Sequence, residues 1–315
     1  MRISRKLLGV FFITLSNITY AEPWFTGPLL APAGKTIPKG HFNFELYGFD
    51  TKNIGFFNRH WKLVHTPGSE NYQINPIFTY GLAEKVDVQL NLPYVINKES
   101  RKSSHHIGDT ALVLGYQAIL QKDSKWVPNL RVTYQLSIPT GKFEEFNPAN
   151  EGTDGTGAGS YQSIFALNFE HLLQFTEINY LRTRFILSHL YASSVRLRGF
   201  NAYGGNATTN GSIKPGDLTG VDLAGEFTVT KHWVAVMEGY YFNRGASVFR
   251  GFPGMPVRGV VPMVGHPNVQ EISLAPAVEF NFNEHFGIIG GCWFAVRGKD
   301  TPDFRSTIIA FNAYW

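Results

Sequence analysis

The chain has 315 residues, of which 43% are hydrophobic, 15% aromatic and only 17% charged. So few charges beside so many aromatics exclude a disordered chain, and a lone cysteine, Cys292, excludes a disulfide scaffold. The formal net charge is +4, but Arg2, Arg5 and Lys6 crowd the first turn of the sequence. The remainder is close to neutral and offers no basic stripe to a nucleic acid.

Residues 1–21 read as a secretory signal peptide: a basic start, an apolar run from Leu7 to Leu15, and a small-x-small end at Thr19-Tyr-Ala21. An N-terminal anchor is the alternative, but the run is well short of the ~20 residues that span a bilayer. No later apolar run approaches that length, which leaves an exported β protein or a β-barrel. Residues 22–40 are apolar and proline-rich. Trp24, Phe25, Leu29 and Leu30 are costly to leave in water, so this segment is expected to fold into a barrel mouth as a plug rather than trail as a periplasmic tail.

From residue 41 the apolar residues recur with period two. Val86, Val88, Leu90, Leu92 and Tyr94 alternate with Asp87, Gln89 and Asn91, and Leu130 to Ile138 alternate with Asn129 to Ser137. Ile272, Leu274, Val278, Phe280 and Phe282 alternate with Glu271, Ser273, Ala277, Glu279 and Asn281. Each such segment has one greasy and one polar face. Twelve strands are predicted, near 41–49, 72–80, 86–95, 109–120, 129–139, 160–171, 177–190, 218–229, 233–243, 269–282, 286–297 and 305–315. The seventh is mixed, because Arg182 and Arg184 share a face with Ile178, Tyr180 and Ile186. The connections alternate between short ones (81–85, 121–128, 172–176, 230–232, 283–285) and long ones (50–71, 96–108, 140–159, 191–217, 244–268), with a modest last link at 298–304. Outer-membrane barrels sort their loops in this way, with short periplasmic turns and long extracellular loops. The long loops are rich in Gly, Asn and Pro and read as mobile surface. Tyr80, Tyr94, Trp233, Tyr241 and Trp315 fall near strand ends, where interfacial aromatics sit.

These features predict an all-β fold: a transmembrane antiparallel up-and-down β-barrel of about twelve strands over 41–315, in the outer membrane of a Gram-negative bacterium. A sheet in hydrocarbon must close, because unpaired backbone groups there cost several kcal/mol each. By alternation the lumen is lined by Glu45, Asp87, Glu170, Asp222, Glu226, Glu238, Glu271 and Glu279, set against Arg131 and, less regularly, Arg182 and Arg184. An acid-rich lumen would favour neutral or cationic solutes. No nucleotide, haem or metal motif is visible, so no cofactor is expected and no residue is assigned a catalytic step. The most suggestive polar group, His105-His106 with Asp109, reads better as a solvated loop, because adjacent strand side chains face opposite ways.

Several stretches resemble an outer-membrane, transporter-like family, the "MetA-pathway of phenol degradation" proteins. They are Gly81-Leu-Ala-Glu-Lys-Val-Asp87, Gly108-Asp-Thr110, Pro139-Thr-Gly141 and Gly155-Thr-Gly-Ala-Gly-Ser-Tyr161, together with Thr26-Gly-Pro-Leu-Leu-Ala-Pro32. The resemblance implies passage of small, hydrophobic or aromatic compounds across the outer membrane. The partners it leads one to expect are the solute, outer-membrane lipid and the barrel-assembly machinery, which would read the last strand ending at Trp315. Two other functions are consistent with the sequence: a lipid-modifying enzyme of the outer membrane, and a structural or adhesive barrel.

Overall fold

The computed structural model describes residues 25–122 and 126–315. The expected signal sequence and Trp24 lie outside the described residues. Twelve antiparallel staves form one closed sheet. They are β1 (Phe42–Phe57), β2 (Ser69–Ala83), β3 (Val86–Asn91 continuing as Tyr94–Glu99), β4 (Lys102–Ile107 continuing as Thr110–Ile119), β5 (Asn129–Ile138) and β6 (Gln162–Gln174). There follow β7 (Tyr180–Ala192), β8 (Leu218–Thr228), β9 (Trp233–Arg244), β10 (Val269–Leu274 continuing as Ala277–Asn281), β11 (Phe286–Lys299) and β12 (Thr301–Tyr314). Each stave pairs with its sequence neighbours, and β12 closes on β1 from Asn43↔Tyr314 to Phe57↔Thr301. Among the described residues the barrel sheet has no free edge for lipid to solvate, as the backbone requires.

The alternation is inside-out relative to a water-soluble barrel. Leu112, Leu114, Leu223, Met237 and Ile309 are exposed, Leu223 at 60% and Ile309 at 62%, whereas Asp87, Glu226, Glu238 and Glu279 are almost fully buried. Water would drive the apolar faces inward, so the outer face is built for acyl chains. Aromatic rings band it at both levels. Phe42 lies against Phe78 and Trp315, and Trp233 against Phe280, on the side of the short turns; Tyr134, Phe165 and Tyr191 form a chain on the other. The short-turn side is therefore periplasmic and the long-loop side extracellular.

Three expectations need correction. The long link expected at 96–108 is strand: β3 and β4 run on past the membrane and meet through Ser100-Arg101, with Ser100 in the left-handed region at φ 53°. The link at 298–304 shrinks to Asp300, also left-handed at φ 51°. Finally, the loops expected to be mobile pack together. Val195–Arg198, Asn210–Lys214 and Val248–Phe252 form a small three-stranded sheet. Its buried Val195, Leu197, Tyr203 and Ile213 pack with Phe143, Phe249 and Val264, so three extracellular loops share one core. Sparse apolar residues within Gly-rich stretches conceal such a core from a periodicity search, because none of the three loops repeats with period two for long.

Candidate functional site

The lumen is assembled from two kinds of inward surface. The first is polar. Asp87, Arg131, Glu170, Asp222, Glu226, Glu238, Glu271 and Glu279 are all buried on the inner wall, and Glu45 is half-buried there with its Oε1 accepting from Asn312 Nδ2 at 3.2 Å. The second kind is apolar. Val234, Val236, Ile289 and Ile308, from β9, β11 and β12, point inward and form one cluster with Phe25 and Leu29. The picture of a uniformly wet interior is thus corrected: one side of the wall is a greasy seat, occupied by the segment that precedes β1.

That segment arches through the barrel. Near the periplasmic end of β10, Thr26 N and Gly27 N donate to Glu279 at 3.0 and 3.2 Å, and Thr26 Oγ1 donates to Asn281 Oδ1 at 2.8 Å. At mid-height Leu30 N donates to Glu238 Oε2 at 3.0 Å and Ala31 N donates to Glu238 Oε1. The chain then descends across the lumen. Gly34 N donates to Glu170 at 3.2 Å, Thr36 N to Gln117 Oε1 at 2.7 Å and Ile37 N to Asp87 Oδ2 at 3.0 Å. It leaves beside the β2–β3 turn, where Gly40 N donates to Gly81 O at 2.9 Å. An irregular proline-rich segment has no partners of its own for its N–H groups, and buried N–H groups must find some. The lumen side chains supply them: the carboxyl groups of Glu279, Glu238, Glu170 and Asp87, and the amide oxygen of Gln117. The approach is close: a Cβ on Gly34 would lie 2.3 Å from the Glu170 Cβ and 2.9 Å from its backbone nitrogen.

Three arginines of the inner wall are engaged as well. Arg131 Nη2 donates to Asp87 Oδ1 at 2.6 Å, a pair that fits only because Gly115 has no Cβ to meet it. Arg182 bonds Glu226 through Nε at 2.6 Å and through Nη2, and its guanidinium lies 4.1 Å over the Phe25 ring. Arg184 lies between Glu170 at 3.4 Å and Glu226 at 3.3 Å and donates from Nη1 to Ala31 O at 2.7 Å. This resolves the mixed pattern of the seventh strand. Tyr180, Arg182, Arg184 and Ile186 all face inward, the arginines towards carboxylates and Ile186 against Ala31 and Ala224. Removing one member of such a network leaves a buried unpaired charge, at roughly 3–5 kcal/mol.

Above the arch lie two cavities. A chamber of about 270 Å³ rests on Leu30 and Pro32 and is walled by residues such as Val113, Ile164, Ile186 and Tyr240. Towards the outside a vestibule of about 840 Å³ is lined by Asn71, Asn97, Phe146, Phe200, Tyr203 and Arg244, among others. Alternation along β9 (Glu238, Tyr240, Phe242, Arg244) could have pointed to Arg244. The loop-borne wall could not be read that way.

Most of the motifs behind the family resemblance converge on a clasp at the extracellular rim. Asp109 accepts from Gly141 N at 3.0 Å and Ala158 N at 2.7 Å, and Thr140 Oγ1 donates to Gly108 O at 2.7 Å. Asp109 thus serves the loop backbone rather than His105 and His106, which stand exposed on β4. A second clasp is centred on buried Asp154, which accepts from Asn147 N, Asn150 Nδ2, Lys142 Nζ and Ser104 Oγ. Burial alone would raise its pKa, but these donors outweigh burial and hold the carboxyl at about 2.

Among solved structures, the chain is similar to an outer-membrane channel from Pseudomonas putida F1, with TM-score 0.68, 11% identity, and coverage of 91% of this chain and 100% of that one. Looser likenesses are to the β domain of the Bordetella autotransporter Brka (TM-score 0.47, 9% identity, 87% and 99% covered) and to the CymD monoaromatic hydrocarbon channel (TM-score 0.40, 8% identity, 89% of each chain). No protein-family model matches the chain and no curated protein matches its sequence, so the family resemblance rests on the quoted motifs alone. The apolar exterior, the aromatic bands and the shared fold together make this chain a twelve-stranded β-barrel of the outer membrane.

Proposed function

We propose that the barrel is a channel for passive passage of small hydrophobic or aromatic compounds, with residues 25–37 as its internal plug. The observation behind this reading is the pair of cavities stacked above the arch, a vestibule of about 840 Å³ over a chamber of about 270 Å³. An apolar cavity of ~150 Å³ already holds benzene, so the chamber has room for a single ring. Its walls mix aliphatic side chains with as many polar ones, among them Gln89, Arg131, Gln135 and Asp222. The family resemblance points to the same solute class. Passage needs no bond making, so the inner-wall charges act by holding the arch and not by chemistry.

Liposome uptake across a panel of aromatic and aliphatic solutes tests this reading. Uptake of small aromatics above that of protein-free liposomes is expected, rising further when residues 25–36 are deleted. Equal entry with and without protein, for both forms, would refute it. An enzyme would instead change the solute or the lipid, which mass analysis of the same liposomes would detect.

A further inference from the structure

Arg244 stands apart from the other inward arginines. Arg131, Arg182 and Arg184 are all in ion pairs. Among the described residues no ion pair and no side-chain hydrogen bond engages the Arg244 guanidinium; its buried Nε lacks a hydrogen-bond partner, as do those of Arg131 and Arg184. It ends β9 on the inward face and lines the vestibule. The two acids on the vestibule wall, and Glu271 on the neighbouring strand, are otherwise occupied or turned away. Asp109 has both oxygens on the backbone N–H groups of Gly141 and Ala158. Glu271, whose strand partner is Phe242, accepts from Thr301 Oγ1 at 2.8 Å. Glu151 lies exposed at the rim in a left-handed turn, φ 53°. His266, also on the vestibule wall, is held below the ordinary imidazole range by lost hydration and then by Arg244 itself, so it adds no second cation at neutral pH.

A guanidinium with free donors on a cavity wall matches a planar anion, which it can grip with two parallel bonds. With one cation and two acids on the same walls, the site suits a single negative charge better than a phosphate dianion. Phe146, Phe200 and Tyr203 supply ring faces on the same cavity. We infer that the vestibule is a binding site for small amphipathic carboxylates of the benzoate type, with the carboxylate on Arg244 and the ring among these aromatics. This deepens the channel reading, on which it rests for what arrives at the mouth. It reverses the expectation, drawn from the acid-rich alternation, that anions are disfavoured.

The test is equilibrium dialysis of labelled benzoate and of its neutral analogue benzyl alcohol against the full-length protein in detergent. Wild type should bind benzoate about tenfold more tightly than benzyl alcohol. Arg244→Gln should abolish that preference and leave benzyl alcohol binding within about twofold, while Arg244→Lys should keep part of it. Heat-modifiability in gel electrophoresis reports whether each variant is folded. If Arg244→Gln does not fold, the wild-type preference must still fall as salt is raised. No wild-type preference, a preference that survives Arg244→Gln, or one indifferent to salt would each overturn the assignment. Benzyl alcohol entry into liposomes separates the two readings. Entry without benzoate preference leaves the channel and removes this site, and benzoate preference without entry does the opposite.

Discussion

Glu238 offers the sharpest handle on the arch. Its carboxylate is fully buried at 0% exposure and accepts the N–H groups of Leu30, at 3.0 Å, and of Ala31. Each buried N–H hydrogen bond that loses its acceptor costs about 1–3 kcal/mol. Glu238→Ala removes two, and water entering the vacated space recovers part, which leaves a net loss of roughly 2–4 kcal/mol for the docked segment. At 1.4 kcal/mol per factor of ten, the released population rises by on the order of 10². Glu279→Ala removes the bonds to Thr26 and Gly27 at one foot of the arch. Both act on one segment, so the double variant should exceed either single one without being a simple sum. Single-channel recording in planar bilayers is the assay. Wild type should be quiet, Glu238→Ala should show brief openings, the double variant longer ones, and deletion of 25–36 a steady conductance. A correctly folded deletion variant that conducts no more than wild type would show that the segment does not close the lumen. A conducting deletion beside a double variant as quiet as wild type would show that the carboxylates do not hold it.

Three further outcomes are expected. Gly34→Ala places a Cβ 2.3 Å from the Glu170 side chain, so the descending limb must shift, and conductance should rise with no loss of heat-modifiability. The Asp154 carboxyl is held at about 2, below its ordinary value, so its clasp is fully present above about pH 4 and is lost as pH falls through about 2. Proteolysis of loop 139–161 by pepsin should accordingly be slow near pH 4 and fast near pH 2, and Asp154→Asn should be cut readily at both. On the outer face, Leu223→Arg should lower the folded fraction in lipid vesicles, by about 2–4 kcal/mol if the position lies at the bilayer midplane and less nearer an interface. The same substitution read out as harmless in lipid would contradict the assignment of that face.

The barrel was legible in the sequence because its rule is local. Each stave shows its own alternation in Leu130 to Ile138 or Ile272 to Phe282, and closure follows from the membrane alone. The inward charges were legible for the same reason. Their partners were not, since nothing in the spacing of Glu238 or Glu279 says that a proline-rich stretch more than 200 residues earlier supplies the donors. Val234, Val236, Ile289 and Ile308 were invisible as a seat, because an apolar inward residue breaks the alternation unless its cover is known. Arg182 and Arg184 blurred the seventh strand by the same mechanism, with Ile186 beside them dry against Ala31. The loop core around Leu197 and Ile213 was hidden because it joins three distant segments, none of them periodic.

The arch also sets an order of events during biogenesis. Thr26, ahead of the first stave, reaches Glu279 and Asn281 across separations of 253 and 255 positions, while Ile37 reaches Asp87 on the opposite wall. These footholds stand on β3 and β10, and closure of the sheet by β1 and β12 fixes the distance between them. The leading stretch must therefore wait, unsatisfied, while the wall is laid down stave by stave, and it locks into place when the seam between β1 and β12 shuts. Its docking then makes reopening that seam more costly, so the piece that occupies the interior also acts as a latch on the finished cylinder.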